Sequence, residues 1–388
     1  MLVLIIAALV ASCGHPSRQS AQRSGSRGQA PFWTFQYVQF ATLSDGWAMA
    51  DNDQSGFTDL FTSEDGGRRW HNVTPPVVLA GEKGEIDNPD ATNPLLTPFV
   101  LDSRDAWLPV ETPSYGQSSM LEVFMTSDAG RRWVLRGRFR GAGLLDIFFL
   151  NPSTGFIDTE VGQGTSEDLA QIYTTSDGGK HWREVSVIND SCGNVGGLSF
   201  ASPRVGFLSG YCGSRWPGLL RTSDGGRRWG YVPIATPYHS GPGGVFPPVF
   251  SSPQAGSMVV EILPVLRVAT TTDAGRHWDL RRLPRPAARL MRSANFYCPD
   301  EVNCLDLVSA RTWVVGAGRD LYRTTDAGLS WTASPTAPNT PWGKEFNQLQ
   351  LDFLSPRVGW AWYVGGWDLL WRTTDGGRQW STYSLGAG

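Results

Sequence analysis

Thr222-Ser-Asp224-Gly-Gly226-Arg-Arg-Trp229 carries a pattern that recurs along the chain: Ser or Thr, any residue, Asp, Gly or Ala, Gly, two residues, Trp. Its aspartates are Asp65, Asp128, Asp177, Asp224, Asp273, Asp326 and Asp375, separated by 63, 49, 47, 49, 53 and 49 residues. Seven copies at so even a period mark an array of supersecondary units. Upstream of each copy lies a small apolar strand, a turn, and then Gly with an aromatic. Gly46-Trp47, Gly155-Phe156, Gly206-Phe207 and Gly359-Trp360 follow that rule, Ala106-Trp107 follows it loosely, and units five and six are degenerate. Four strands, A to D, in about 50 residues make one blade, and seven blades close a ring. The predicted fold is an all-β, seven-bladed β-propeller of four-stranded blades, with an open β-solenoid as the runner-up. Strand A of the first unit is expected near Tyr37 and strand D of the last near Leu385, with Phe32 to Gln36 available as an extra edge strand.

The repeat has a structural task at the C–D turn. Gly supplies the positive φ that a tight turn needs. The Asp carboxylate accepts backbone N–H groups, the Ser or Thr hydroxyl adds a bond, and the Trp ring packs over the hairpin. All seven aspartates are therefore expected to be structural, and none catalytic.

Composition agrees with many short strands: 45 glycines and 17 tryptophans among 388 residues. Lys+Arg number 33 against 36 Asp+Glu, a balance that gives no sign of a nucleic-acid partner. Residues 1–13 read as a targeting segment, with an unbroken apolar run from Leu2 to Ala11 that is too short to span a bilayer. Val10-Ala11-Ser12-Cys13 resembles a bacterial lipobox, which implies lipidation at Cys13; an ordinary secretory signal is the alternative. Residues 14–31 are polar and carry three arginines, the composition of a disordered tether, and residues 32–388 form the propeller. The expected location is outside the cytoplasm, on the outer face of the cytoplasmic membrane or in the periplasm. Four further cysteines, Cys192, Cys212, Cys298 and Cys304, read as two local disulfides in that setting; metal binding competes, but no Cys-x-x-Cys or His partner lies nearby.

The repeat resembles the Asp-box, or bacterial neuraminidase repeat, of sialidases, sortilin-type receptors and some glycoside hydrolases. Gly359-Trp360 followed by Arg372-Thr-Thr-Asp375-Gly-Gly-Arg-Gln-Trp380 most resembles the photosystem II assembly and stability factor family. That resemblance covers about residues 33 to 385. It implies a seven-bladed, sometimes lipid-anchored propeller that binds a membrane protein during assembly. Fold alone does not assign such a role.

Alternating strands put the A–B and C–D turns on one face of the ring and the B–C and D–A connections on the other. Length variation falls in the second set, as in Val77 to Pro98, Pro233 to Pro248 and Ser334 to Lys344; drift in unconstrained loops would give the same variation. Arg215, Trp216, Tyr238, His239, Arg285, Arg289, Trp342, Lys344 and Trp367 stand there as cations with aromatic neighbours, suited to a protein or saccharide partner of a monomeric ring. The acidic run Glu82, Glu85, Asp87 and Asp90 reads as a solvated loop. No cofactor is expected apart from calcium. Asp51, Asp53, Ser55 and Asp59 match the first oxygen positions of a calcium loop, although Thr62 replaces the closing Glu and a polar hairpin turn explains the stretch equally well.

For enzymatic readings, the nearest approach to the sialidase Arg-Ile-Pro motif is Arg282-Leu283-Pro284, in the fifth unit. Glu111, Glu160, Glu167 and Asp168 are carboxylates that a glycosidase could pair. Nucleophile-elbow, zinc-peptidase and phosphate-loop motifs are absent. The expectation is a binding scaffold rather than an enzyme, with glycan binding or sialidase-like hydrolysis as the alternative.

Overall fold

The computed structural model describes residues 32–53, 55–76, 95–112, 120–140, 143–161, 169–188, 195–210, 218–234, 244–262, 265–284, 305–317, 320–334, 350–363 and 368–385. They form seven four-stranded antiparallel sheets, each a contiguous meander of the chain. The architecture is a seven-bladed β-propeller. In blade 1 the strands are β1 (Trp33–Phe40), β2 (Gly46–Asn52), β3 (Thr58–Ser63) and β4 (His71–Asn72). Strand A therefore begins at Trp33, earlier than expected from the sequence. Phe32 to Gln36 adds no separate strand: a register shift between Phe35 and Tyr37 lets a single strand run through.

One ring in each blade fills the space beneath the C–D turn. The last residue of strand A pairs with the first of strand B, as in Phe40–Gly46, Phe149–Gly155, Phe200–Gly206, Phe250–Gly256 and Phe353–Gly359. At each of these glycines an added Cβ would fall within 3 Å of the phenylalanine ring, so the glycine is required by space. The ring then meets the repeat tryptophan nearly edge-on, at 5.9 Å for Phe40–Trp70 and 6.5 Å for Phe353–Trp380.

Two blades solve the same packing problem differently. Blade 2 has Val100 opposite Ala106, and Trp47 of blade 1 supplies the ring, 6.3 Å from Trp133. In blade 6, Trp313 occupies the position held elsewhere by glycine and brings its own indole to within 6.2 Å of Trp331. The degenerate sixth unit thus takes its ring from strand B instead of strand A.

Aromatic stacking also joins the blades. Trp107 lies on Phe149 at 3.6 Å, Phe156 on Phe200 at 3.4 Å and Phe207 on Phe250 at 5.2 Å, each pair spanning consecutive blades. Phe40 stacks on Trp360 at 3.7 Å, which closes the ring between blades 7 and 1. Trp360 Nε1 donates to the Gly66 carbonyl at 3.2 Å across the same joint. Closure thus relies on side chains, and every sheet keeps its four strands from one stretch of chain.

Candidate functional site

The seven C–D turns share one hydrogen-bond circuit. The Ser or Thr hydroxyl donates to the Asp Oδ1 at 2.7–3.1 Å. It accepts the amide of the second glycine at 2.8–3.0 Å. Oδ1 also accepts the amide four residues past the Asp, at 2.9–3.0 Å. Ala129, Ala274 and Ala327 all take φ of 60° at the first glycine position, the strain of an alanine in a left-handed turn.

That circuit holds the carboxylates ionised. At Asp128, Asp177 and Asp224 the donated amide is the largest influence and draws the carboxyl below its usual range. At Asp326 the Ser330 hydroxyl leads, and the carboxyl falls to about 2. Burial opposes ionisation at Asp65, Asp273 and Asp375, but the hydrogen bonds outweigh it. Groups so committed to backbone amides are poor proton donors.

Arginines brace the joints near these turns. Arg323, one residue before Thr324, donates through Nη1 to the carbonyls of Gly376 at 2.6 Å and Pro356 at 3.2 Å in the next blade, and through Nη2 to Ser334 at 2.9 Å. Arg221 reaches the Ala274 carbonyl at 2.9 Å, and Arg372 reaches Leu43 at 3.0 Å while lying 5.3 Å from the Trp360 ring centroid. Burial, the largest influence, lowers the pKa of both Arg221 and Arg323.

On this same face, the joint between blades 3 and 4 opens into a groove of about 570 Å³. Its apolar wall is Phe156, Trp182 and Pro203, and Arg183, Arg204 and Arg227 stand around it. Among the described residues none of these three arginines forms an ion pair with a carboxylate, whereas His181 Nδ1 sits 2.6 Å from Asp177 Oδ2. A smaller cavity of about 170 Å³ lies between blades 1 and 2, where Arg131 and Glu64 pair across the joint at 2.9 Å. The first groove offers guanidinium forks beside the partly exposed Trp182 ring, together with the Asp177 and Asp224 carboxylates of the two turns.

Every segment outside the described residues is a chain terminus or lies in a B–C or D–A connection. Arg215, Trp216, Tyr238, His239, Arg285, Arg289, Trp342, Lys344 and Trp367 fall there, as do Cys192, Cys212, Cys298 and Cys304. Residues 1–31, with Cys13, also lie outside, as do Glu167 and Asp168. Glu111 is in strand B of blade 2, where burial raises its carboxyl. In the expected calcium stretch, Asp51 accepts from Gln36 at 2.6 Å and Thr58 at 2.5 Å, and Asp53 accepts the Phe32 amide at 2.7 Å. The Ser55 hydroxyl accepts the Phe57 amide at 3.2 Å, and Asp59 accepts from Thr74 at 2.9 Å. Among the described residues no three His, Cys, Asp or Glu side chains gather to hold a metal ion.

Sequence reasoning missed the blade 3–4 groove, since its residues come from two units and two turns. It also missed Asp146, Asp306 and Asp352, single acids in otherwise apolar inner strands. Asp146 Oδ2 accepts the Leu198 amide of blade 4 at 2.5 Å. Asp306 Oδ2 accepts the Phe353 amide of blade 7 at 2.5 Å, and Asp352 Oδ2 accepts the Phe40 amide of blade 1 at 2.6 Å. Each acid satisfies an inner-strand N–H of the following blade. Desolvation pushes Asp146 up to about 6 and Asp352 up to about 7.

Solved structures share this fold. A YCF48 structure bound to D1 peptide overlays with a TM-score of 0.52 at 16% identity, covering 89% of this chain and 92% of its own. YCF48 from Cyanidioschyzon merolae gives 0.53 at 12% identity, covering 90% of this chain and 97% of its own. The GH74 enzyme of Niastella koreensis gives 0.40 at 11% identity, over 91% of this chain and 66% of its own. No protein-family model matches the sequence, and no curated protein matches it.

Proposed function

We propose that this chain is a binding scaffold held outside the cytoplasm by a lipid on Cys13, where its ring engages a polypeptide and assists the assembly or stability of a membrane or envelope protein. The observation that carries this reading is the groove between blades 3 and 4, where Arg183, Arg204 and Arg227 form no ion pair among the described residues and stand beside the partly exposed Trp182. Such guanidiniums favour a carboxylate partner, and the partly exposed Trp182 ring gives an extended chain an apolar contact. A propeller of the same fold carries a bound D1 peptide, which supports polypeptide as the class of ligand. The box carboxylates, committed to backbone amides, leave little in this groove for acid–base chemistry.

The test is capture from detergent-solubilised membranes with the full chain as bait, read by mass spectrometry. One variant carries Arg183→Ala, Arg204→Ala and Arg227→Ala. A second carries Arg215→Ala, Trp216→Ala, Trp342→Ala and Trp367→Ala on the loop-rich face. One discrete membrane protein captured by the wild type and lost only in the first variant supports the groove. Loss only in the second moves the partner to the loop-rich face. Equal capture by all three refutes both surfaces, capture of nothing refutes the scaffold reading, and a glycan bound on an array in a Trp182-dependent manner would replace it.

A further inference from the structure

The two most exposed large apolar side chains among the described residues stand on one face of the ring, in the blades on either side of blade 7: Leu329, 73% exposed, and Leu43, 56% exposed. Leu329 lies in the C–D turn of blade 6, three residues past the Asp, where the other six turns hold an arginine or a lysine. Leu43 lies in the A–B turn of blade 1, and its carbonyl accepts Arg372 of blade 7 at 3.0 Å. In these blades a backbone bond ties the A–B turn to the C–D turn, so that each blade presents the two as one tip. The Ala327 amide donates to the Arg311 carbonyl at 2.9 Å, Gly376 to Arg357 at 2.7 Å and Gly66 to Ser44 at 2.8 Å. Arg311, Arg357 and Arg378 are exposed at the tips of blades 6 and 7. The carboxylates there are already engaged: Asp326 and Asp375 accept amides of their own turns, and Asp45 accepts the Thr42 and Ser44 hydroxyls. Every A–B and C–D turn is among the described residues, so this face is known in full.

We propose that this sector of the face, from Leu329 across blade 7 to Leu43, docks on a membrane surface of anionic lipid. The two leucines enter the boundary between headgroups and acyl chains, and Arg311, Arg357 and Arg378 meet lipid phosphates. Interfacial binding of this kind draws on buried apolar area together with attraction to anionic headgroups, and the sector offers both. A guanidinium fork matches a phosphate, and its weak hydration eases its transfer to the interface. Neither leucine belongs to the circuit that closes the turns, which the Ser or Thr, the Asp and the Gly complete among themselves. Their exposure to water therefore serves no local structure, and it carries the usual cost of wetted apolar surface. Leucines that protrude from separate tips suit a phase that yields around each of them, whereas a folded partner would need a pocket for each. An acidic polypeptide would use the arginines and leave the leucines idle. This sector lies apart from the groove between blades 3 and 4, and the proposal does not rest on that groove.

Vesicle sedimentation tests this, with the full chain carrying Cys13→Ser throughout so that no lipid anchor contributes. The vesicles are phosphatidylcholine alone, or equal parts of phosphatidylcholine and phosphatidylglycerol. The parent chain should bind the mixed vesicles more tightly than the neutral ones. Leu43→Gln with Leu329→Gln should weaken binding to the mixed vesicles about tenfold or more. Arg311→Gln with Arg357→Gln and Arg378→Gln should weaken it about a hundredfold, at about fivefold per arginine. Val187→Gln, which alters an exposed side chain in the outer strand of blade 3, should leave it unchanged. Binding that both combined variants retain overturns the proposal, as does no binding by the parent chain or equal binding to neutral vesicles. Loss confined to one variant also overturns it: the arginines alone would mark a site for acidic polypeptide, and the leucines alone a purely apolar contact. If a combined variant does not fold, Leu329→Gln and Arg357→Gln as single changes decide, each expected to weaken binding about threefold or more.

Discussion

Adding one methyl group at Gly155 should cost more than its size suggests, and a second substitution should recover part of the loss. A Cβ there would lie 2.3 Å from Phe149 Cε1 and 2.5 Å from both Cδ1 and Cζ. The ring has no room to retreat, because Trp107 of the neighbouring blade is stacked on it at 3.6 Å. Overpacking of this kind costs about 1–3 kcal/mol. Phe149→Val alone empties the space and costs about 2–4 kcal/mol. Together, F149V/G155A recreate the Val100–Ala106 pairing of blade 2, in which the ring comes from the preceding blade's Trp47. Here Trp107 is already in place to fill that role. The double variant should therefore be about 1.5 kcal/mol or more better than the sum of the two singles. Urea unfolding followed by tryptophan fluorescence measures this, with an unchanged m-value as the check that only stability has moved. Additivity within about 0.5 kcal/mol, or a neutral Gly155→Ala, would refute the packing argument.

Arg323→Lys should lower the urea midpoint by the equivalent of about 1–3 kcal/mol, since an ammonium cannot hold the Gly376 and Pro356 carbonyls and the Ser334 hydroxyl together. Thr373→Ala should cost about 1 kcal/mol by removing the hydroxyl that accepts the Gly377 amide and donates to Asp375; a loss below about 0.3 kcal/mol would mean water replaces the hydroxyl. The turn carboxylates sit below their unfolded values, so their contribution is present above about pH 4 and lost as pH falls toward about 2. A thermal midpoint that does not drop in that acid range would contradict their hydrogen-bond circuit. Asp146→Asn should remove a stability loss between about pH 4 and about pH 6, the range over which the buried acid becomes costly to ionise.

The fold was legible because its signal is a turn, and turns are local. Thr222 to Trp229 contains every atom of its Thr–Asp–Gly circuit, to which the Arg204 carbonyl and the Ser186 hydroxyl are added from outside, so a window of eight residues declares it. Glycines at the start of strand B were equally plain, although their reason, the phenylalanine ring above them, lies on another strand. What stayed hidden is made between units. Trp313 reads as a broken repeat until Trp331 is seen beside it. Arg221, Arg323 and Arg372 each precede a Thr of the repeat, a recurring signal, but their acceptors belong to the next blade. A lone Asp in Leu351-Asp-Phe353 hints at a buried role without naming the Phe40 amide 312 residues away. The groove between blades 3 and 4 shares this character, since neither unit holds it alone.

The joint of Phe40 and Trp360 has a consequence for the newborn chain. Most blades find a neighbour as soon as the next unit of about 50 residues is complete, so the ring grows by short steps of low contact order. Blade 1 has one flank that cannot be covered until Trp360 has been made, and the Trp360–Gly66 hydrogen bond spans 294 residues. At about 5–20 residues per second, that flank waits on the order of 15 to 60 seconds. Throughout that interval Phe35, Phe40 and Phe61 lack the blade 7 side of their common cluster. The vulnerable species is therefore an open arc of up to six blades, uncovered at blade 1 and at its last blade, and a truncation anywhere before blade 7 would preserve it indefinitely.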